Sequence, residues 1–148
     1  MFSQLFDQVS IDDLLTTAAG AAGTADINSD EVDSQNWDGV MFIVKFGPIV
    51  SGAVTSIKAQ QDTVTGMAGA ADLAGTGITV ADTDDDKLKV LDIFKPRERF
   101  VRCVVDRATQ NATVNSIVGI RYRGRKFPST HAAEVAGEKH ASPAEGTA

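Results

Sequence analysis

The sequence predicts an all-β domain, a sandwich or a barrel. Short apolar runs alternate with a period of two, turn residues recur between them at regular spacing, and β-branched residues are many while aromatics are few. The 148 residues, 43% hydrophobic, suit one domain with a substantial core.

Taken in order, residues 1–23 mix a weak helical spacing, Phe2, Leu5, Phe6 and Val9, with the small-residue run TTAAGAAGT. Either a short amphipathic helix or a flexible arm fits, and both need a partner surface to become ordered. ADINSDEVDS reads as a polar edge strand. VMFIVKF, residues 40–46, places Val40, Phe42, Val44 and Phe46 on one face and Lys45 on the other, and Gly47-Pro48 should end it. Further strands are expected at 53–59, 76–81, 87–94, 99–106 and 112–123, separated by Ser51-Gly52, an acidic cluster, Lys95-Pro96-Arg97 and Thr109-Gln110-Asn111. GMAGAADLAGTG, 66–77, is too rich in glycine for a stable helix and reads as a crossover loop, with room for one helical turn at Ala70 to Ala74. Residues 128–148 offer almost nothing to bury and read as a disordered tail. The expected organisation is therefore an arm or short helix at 1–23, a β domain at 24–127 and a tail at 128–148.

The net charge is −6, unevenly spread. Residues 1–93 carry −11, residues 94–127 carry +7 and residues 128–148 carry −2. Such opposed blocks can bind nucleic acid or pair with a neighbouring subunit. Arg121, Arg123 and Arg125 alternate, which on a regular strand makes one row of guanidinium groups, and Arg97, Arg99, Arg102 and Arg107 add to the block. Single-stranded nucleic acid would call for interleaved aromatics, yet only Tyr122 and Phe127 are near. Arginine pairs well with carboxylates at protein interfaces, so an interface is the first reading and nucleic acid the second.

The acidic cluster, Asp82, Asp84, Asp85 and Asp86, begins like a calcium loop. Lys87 then stands where glycine should make the bend and Ile93 where a bidentate glutamate should close the site, so a solvated turn is expected instead of a metal site. An enzyme is not expected. His131 and His140 both lie in the tail, the expected strands carry no histidine, and Asp92 and Asp106 read as outward or strand-end carboxylates more readily than as a catalytic pair. The phosphate-loop lysine and hydroxyl are missing from the glycine-rich run. Cys103, the single cysteine, lies in an apolar strand pattern and reads as a buried structural thiol. No run of about 18 apolar residues occurs, so no membrane helix is expected. The N-terminus lacks the basic start and apolar core of a signal peptide, which points to synthesis in the cytoplasm. Trp37, the single tryptophan, would have to supply any carbohydrate platform and reads as a core or rim residue.

The phrases TADINSDEVDSQNWDGVMFIVKFG and SIKAQQD, the run from ADLAGTGITV to NSIVGI, and the closing SPAEGTA resemble small proteins encoded beside the major capsid gene of tailed phages and prophages. The similarity runs from about Thr24 to Ala148. Through them the chain is similar to capsid cement, or decoration, proteins. That resemblance implies a jelly-roll-like β-sandwich and a non-enzymatic, structural role; with the residues read above, the expectation is such a sandwich with an extended N-terminal arm and C-terminal tail and without cofactor or metal. It implies binding to the major capsid protein on the outer surface of the virion, where neighbouring capsid subunits are held together. It also implies self-association, with a homodimer expected and a trimer as the other arrangement, and no membrane partner. A basic-strand nucleic-acid-binding protein or head appendage is the alternative. Charge segregation nominates Arg97, Arg99, Arg121, Arg123 and Arg125 as interface residues, with Asp82, Asp84, Asp85 and Asp86 as their complement.

Overall fold

The structure is a computed structural model and describes residues 4–17, 19–142 and 144–147. Phe2 of the helical pattern, Ala18 of the small-residue run and Pro143 of the tail lie outside the described residues.

Two antiparallel sheets pack face to face. The first runs in the spatial order β1 (Val9–Asp13), β11 (Ala112–Gly124), β5 (Trp37–Ile49) and β9 (Leu88–Phe94), with β2 (Ala22–Gly23) also joined to β11. In the second, β3 (Ile27–Asn28) and β4 (Val32–Asp33) flank β10 (Phe100–Ala108), which pairs with β6 (Val54–Asp62). On the far side of β6 lie β7 (Ala71–Asp72) and β8 (Ile78–Val80). If β3 with β4 and β7 with β8 each fill one strand position, the pairs nest like a folded ribbon. β1 pairs with β11, β3 and β4 with β10, β5 with β9, and β6 with β7 and β8. This winding is a jelly-roll sandwich, as expected.

Alternation sets the core. Val40, Phe42, Val44 and Phe46 on β5 are fully buried and meet Ile57, Ala59, Val101, Cys103 and Val105 from the second sheet. Each such large side chain contributes about 1.5–3 kcal/mol of transfer free energy. Burial pushes the Cys103 thiol up to about 12, so it behaves as a small apolar side chain.

Several expected elements change. β5 runs through Gly47 and Pro48 to Ile49, because these residues sit in a register shift between β5 and β11, where the ladder asks no hydrogen bond of a proline. ADINSDEVDS makes two short strands instead of one, interrupted at 29–31. No helical turn forms at 70–74. There β7 pairs with Gln60 and Gln61, and Leu73 N–H donates to Ala59 O.

Both ends are drawn into the fold, and of the arm or short helix expected at the start a short helix forms. After a four-residue helix, α1 (Leu5–Gln8), β1 is an edge strand of the first sheet, paired with β11 from Val9 opposite Tyr122 to Asp13 opposite Val118. The sandwich therefore begins well before residue 24. Residues 129–132 lie along the open side of β1. Ser129 N–H donates to Asp7 O at 2.9 Å, Ala132 N–H donates to Ile11 O at 3.3 Å, and the Ser129 hydroxyl donates to Val9 O. Ile11 N–H donates to His131 Nδ1 at 3.1 Å while His131 Nε2 reaches Phe6 O at 3.0 Å, an arrangement that requires the neutral ring. The composition of this segment hid its role, because it acts through backbone groups and one imidazole rather than through buried bulk.

Candidate functional site

The acidic loop lies between β8 and β9 and is stapled to the turn between β5 and β6. The Asp82 carboxylate accepts Gly52 N–H at 2.9 Å and Asp85 accepts Ile49 N–H at 2.6 Å. Asp84 accepts Ala81 N–H at 3.0 Å and pairs with Lys87 at 2.9 Å and Lys89 at 2.7 Å. The Lys89 ammonium, then that of Lys87, holds the Asp84 carboxyl well below the usual carboxylate range. Asp86 has a left-handed backbone, φ 57°, and its carbonyl accepts from Lys45. Its carboxylate alone in the cluster has no hydrogen bond or ion pair among the described residues. The four side chains therefore serve different tasks, and three of them hold the loop in place.

A titration follows from Asp84. Its folded value lies below its unfolded value, so its contribution to stability is complete above the ordinary carboxylate range and is lost as pH falls through the depressed folded value. Acid unfolding of Asp84→Asn, followed by circular dichroism, should lack this component and show a lower melting temperature at pH 7 than the wild type.

The arginine row is broken, which corrects the expectation of one continuous stripe. Arg123 has φ 53° and is skipped in the ladder, since Tyr122 pairs with Gly39 and Gly124 with Trp37. Arg121 faces inward at one end of the sandwich. It donates to Asp12 Oδ1 at 3.1 Å, to the Ser10 hydroxyl at 2.8 Å and to Asp33 O at 3.2 Å, and it lies over the Trp37 ring. Burial pulls the Asp12 carboxyl up despite this partner, and Asp12 Oδ2 and Arg121 Nε have no partner among the described residues. Arg123, 68% exposed, turns the other way, 3.8 Å from Asp38 and over the ring of Phe94. Arg99 is occupied by Asp33 in a two-pronged pair at 3.0 and 2.7 Å, which lowers the Asp33 carboxyl. Arg97 and Arg125 are exposed, and Arg125 N–H donates to Asn36 O.

Alternation along β5, β9 and β11 produces a surface that charge did not point to. Leu88, Val90 and Phe94 on β9 are 57%, 48% and 52% exposed. The pairing registers place Leu88 opposite Lys45, Val90 opposite Ile43 and Phe94 opposite Gly39, with Val118, Ile120 and Tyr122 of β11 beyond them on the same outer face. The absent side chain at Gly39 makes room for the Tyr122 ring, whose hydroxyl donates to Asp92 at 2.7 Å. Burial and then this bond push the Tyr122 hydroxyl up to about 12. Lys95 and Arg123 lie over Phe94, with centroid distances of 5.4 and 5.7 Å. The result is an apolar sheet face with a cationic border, a chemistry suited to a protein surface that presents carboxylates beside apolar side chains. The sequence signal was available in KLKVLDIF and VMFIVKF, whose apolar residues fall on both faces of the strand. Among the described residues no cluster of histidine, cysteine and carboxylates has the geometry to hold a metal ion, and no helix is long and apolar enough to cross a membrane.

No protein-family model and no curated protein matches the chain. Among solved structures, the chain is similar to the SPBc2 prophage-derived protein YomS, with a TM-score of 0.46 and 12% sequence identity over 76% of this chain and 91% of that one.

Proposed function

We propose that this chain is a structural, non-catalytic virion protein that binds the outer surface of a phage capsid and cements neighbouring capsid subunits. The supporting observation is the apolar outer face of the first sheet, with Leu88, Val90 and Phe94 about half exposed and Lys95 and Arg123 at its border. Half-exposed large side chains grouped on a rigid sheet mark a protein-docking surface. The phrase-level resemblance of residues 24–148 to proteins encoded beside capsid genes supplies the nature of the partner. A protein partner is favoured over nucleic acid because Arg99 and Arg121, two of the arginines a phosphate backbone would draw on, are already paired with Asp33 and Asp12.

The experiment is co-sedimentation with shells assembled from the capsid protein encoded beside this chain. The wild type is expected to pellet with the shells, and the variant Phe94→Ala with Arg123→Glu to bind at least about tenfold more weakly. Wild type left in the supernatant, or a variant that binds undiminished, would overturn the reading. Arg121→Glu serves as the contrast. Facing Asp12 in a half-buried site, it is expected to cost about 2–4 kcal/mol of folding stability, whereas Arg123→Glu alone should stay within about 0.5 kcal/mol of wild type in urea unfolding.

A further inference from the structure

The two edges of the first sheet are treated differently. On β1, the outward backbone groups of Val9 and Ile11 are engaged by Ser129, His131 and Ala132. On β9 nothing comparable occurs. In an antiparallel pair only alternate residues exchange bonds with the neighbour. Lys95 N–H donates to Asp38 O and Phe46 N–H to Lys87 O. The unbroken register between them then leaves Lys89, Leu91 and Ile93 bonded to β5, while the N–H and C=O groups of Leu88, Val90, Asp92 and Phe94 point away from it. Among the described residues no hydrogen bond engages those outward groups.

Natural edge strands are usually guarded by lysine, proline or a bulge. β9 has neither bulge nor proline, and Lys87 and Lys89 are both tied back to Asp84. A cleft of about 580 Å³, lined in part by Gln61, Leu73, Asp92, Phe94 and Arg97, lies beside the C-terminal end of this edge.

We propose that β9 pairs antiparallel with β9 of a second copy of this chain, joining the two first sheets into one. Charge selects the occupant. β9 starts just after the acidic loop and ends just before Lys95-Pro96-Arg97, so its two ends carry opposite sign. A two-fold antiparallel pairing lays the acidic end of each copy on the basic end of the other. The register that uses all four outward residues sets Leu88 opposite the partner's Phe94 and Val90 opposite the partner's Asp92, with Leu91 on the axis. It also brings Asp86, whose carboxylate is free, beside the partner's Arg97. Because residues 129–132 cover the β1 edge, β9 cannot add to β1 of a neighbour, and the association closes as a dimer instead of growing into a fibre. The inference rests on edge geometry and charge alone and stands whether or not the shell reading does.

Sedimentation equilibrium of the full chain, without capsid, tests it. The wild type is expected to be a dimer that weakens as salt is raised. Val90→Pro removes an outward N–H that β5 does not use, so the fold should persist by circular dichroism while the dimer weakens at least about thirtyfold. Val90→Lys, which guards the edge without proline, should do the same if Val90→Pro fails to fold. In hydrogen exchange, the amides of Leu88, Val90, Asp92 and Phe94 should gain protection as protein concentration rises. A wild type that stays monomeric, forms a trimer, or gains β9 protection only when shells are added would overturn the proposal, as would a dimer that both variants leave intact.

Discussion

Arg107→Ala is expected to lower the free energy of unfolding by about 3 kcal/mol or more, measured in urea. Arg107 takes the inward-facing position that follows Val101, Cys103 and Val105 on β10, and only 8% of it is exposed. Its guanidinium donates to Ala25 O at 2.6 Å, Ala112 O at 2.7 Å and Ala21 O at 3.3 Å, and its backbone N–H donates to the Asp26 carboxylate at 2.9 Å. The planar fork thus ties the residues around β2 to the start of β11. Truncation would leave these carbonyls without their charged donor in a place that water reaches poorly. Arg107→Lys should recover only part of the loss, because one ammonium cannot reach carbonyls in three directions. If Arg107→Ala unfolds with wild-type stability, the sandwich end is not held in this way.

Phe42→Ala should cost about 3–5 kcal/mol, the range for a fully buried phenylalanine in a core that cannot collapse. Phe42 lies at the middle of β5 with no exposed surface, opposite Gly119 of β11. A side chain added at Gly119 to refill the space would run into Leu14, 2.6 Å from the position of its Cβ, so Gly119→Ala should not rescue the variant. Thermal unfolding of the single and double variants checks both statements.

Strand identities were legible because the inner face of each long strand is apolar over much of its length, as in Val40, Phe42, Val44 and Phe46 of β5. The end of β5 was not, because a glycine and a proline that stop most strands are tolerated at a register shift. Nor were the arginines. Arg107 and Arg121 look like interface residues in a linear reading, yet each lies where an inward-facing row reaches the end of the sandwich, and alternation alone does not say where that end is. Arg123 escapes the row through a left-handed residue that no propensity of arginine signals. The docking face was legible in principle, in the outward Leu88, Val90 and Phe94, but charge segregation drew attention to residues whose charges are largely spent within the chain. Asp86 and Arg97, nominated on charge, remain free to meet a partner.

The pairing of β1 with β11 also has a consequence in time. Val9 finds its neighbour at Tyr122, and the strip that covers the other side of β1 comes later still, at 129–132. During synthesis the first strand must therefore wait until residues 118–122 have emerged, and contacts of such sequence separation form slowly. Until then the first sheet of the nascent chain carries two exposed edges instead of one, and residues 129–132 decide which of them stays open.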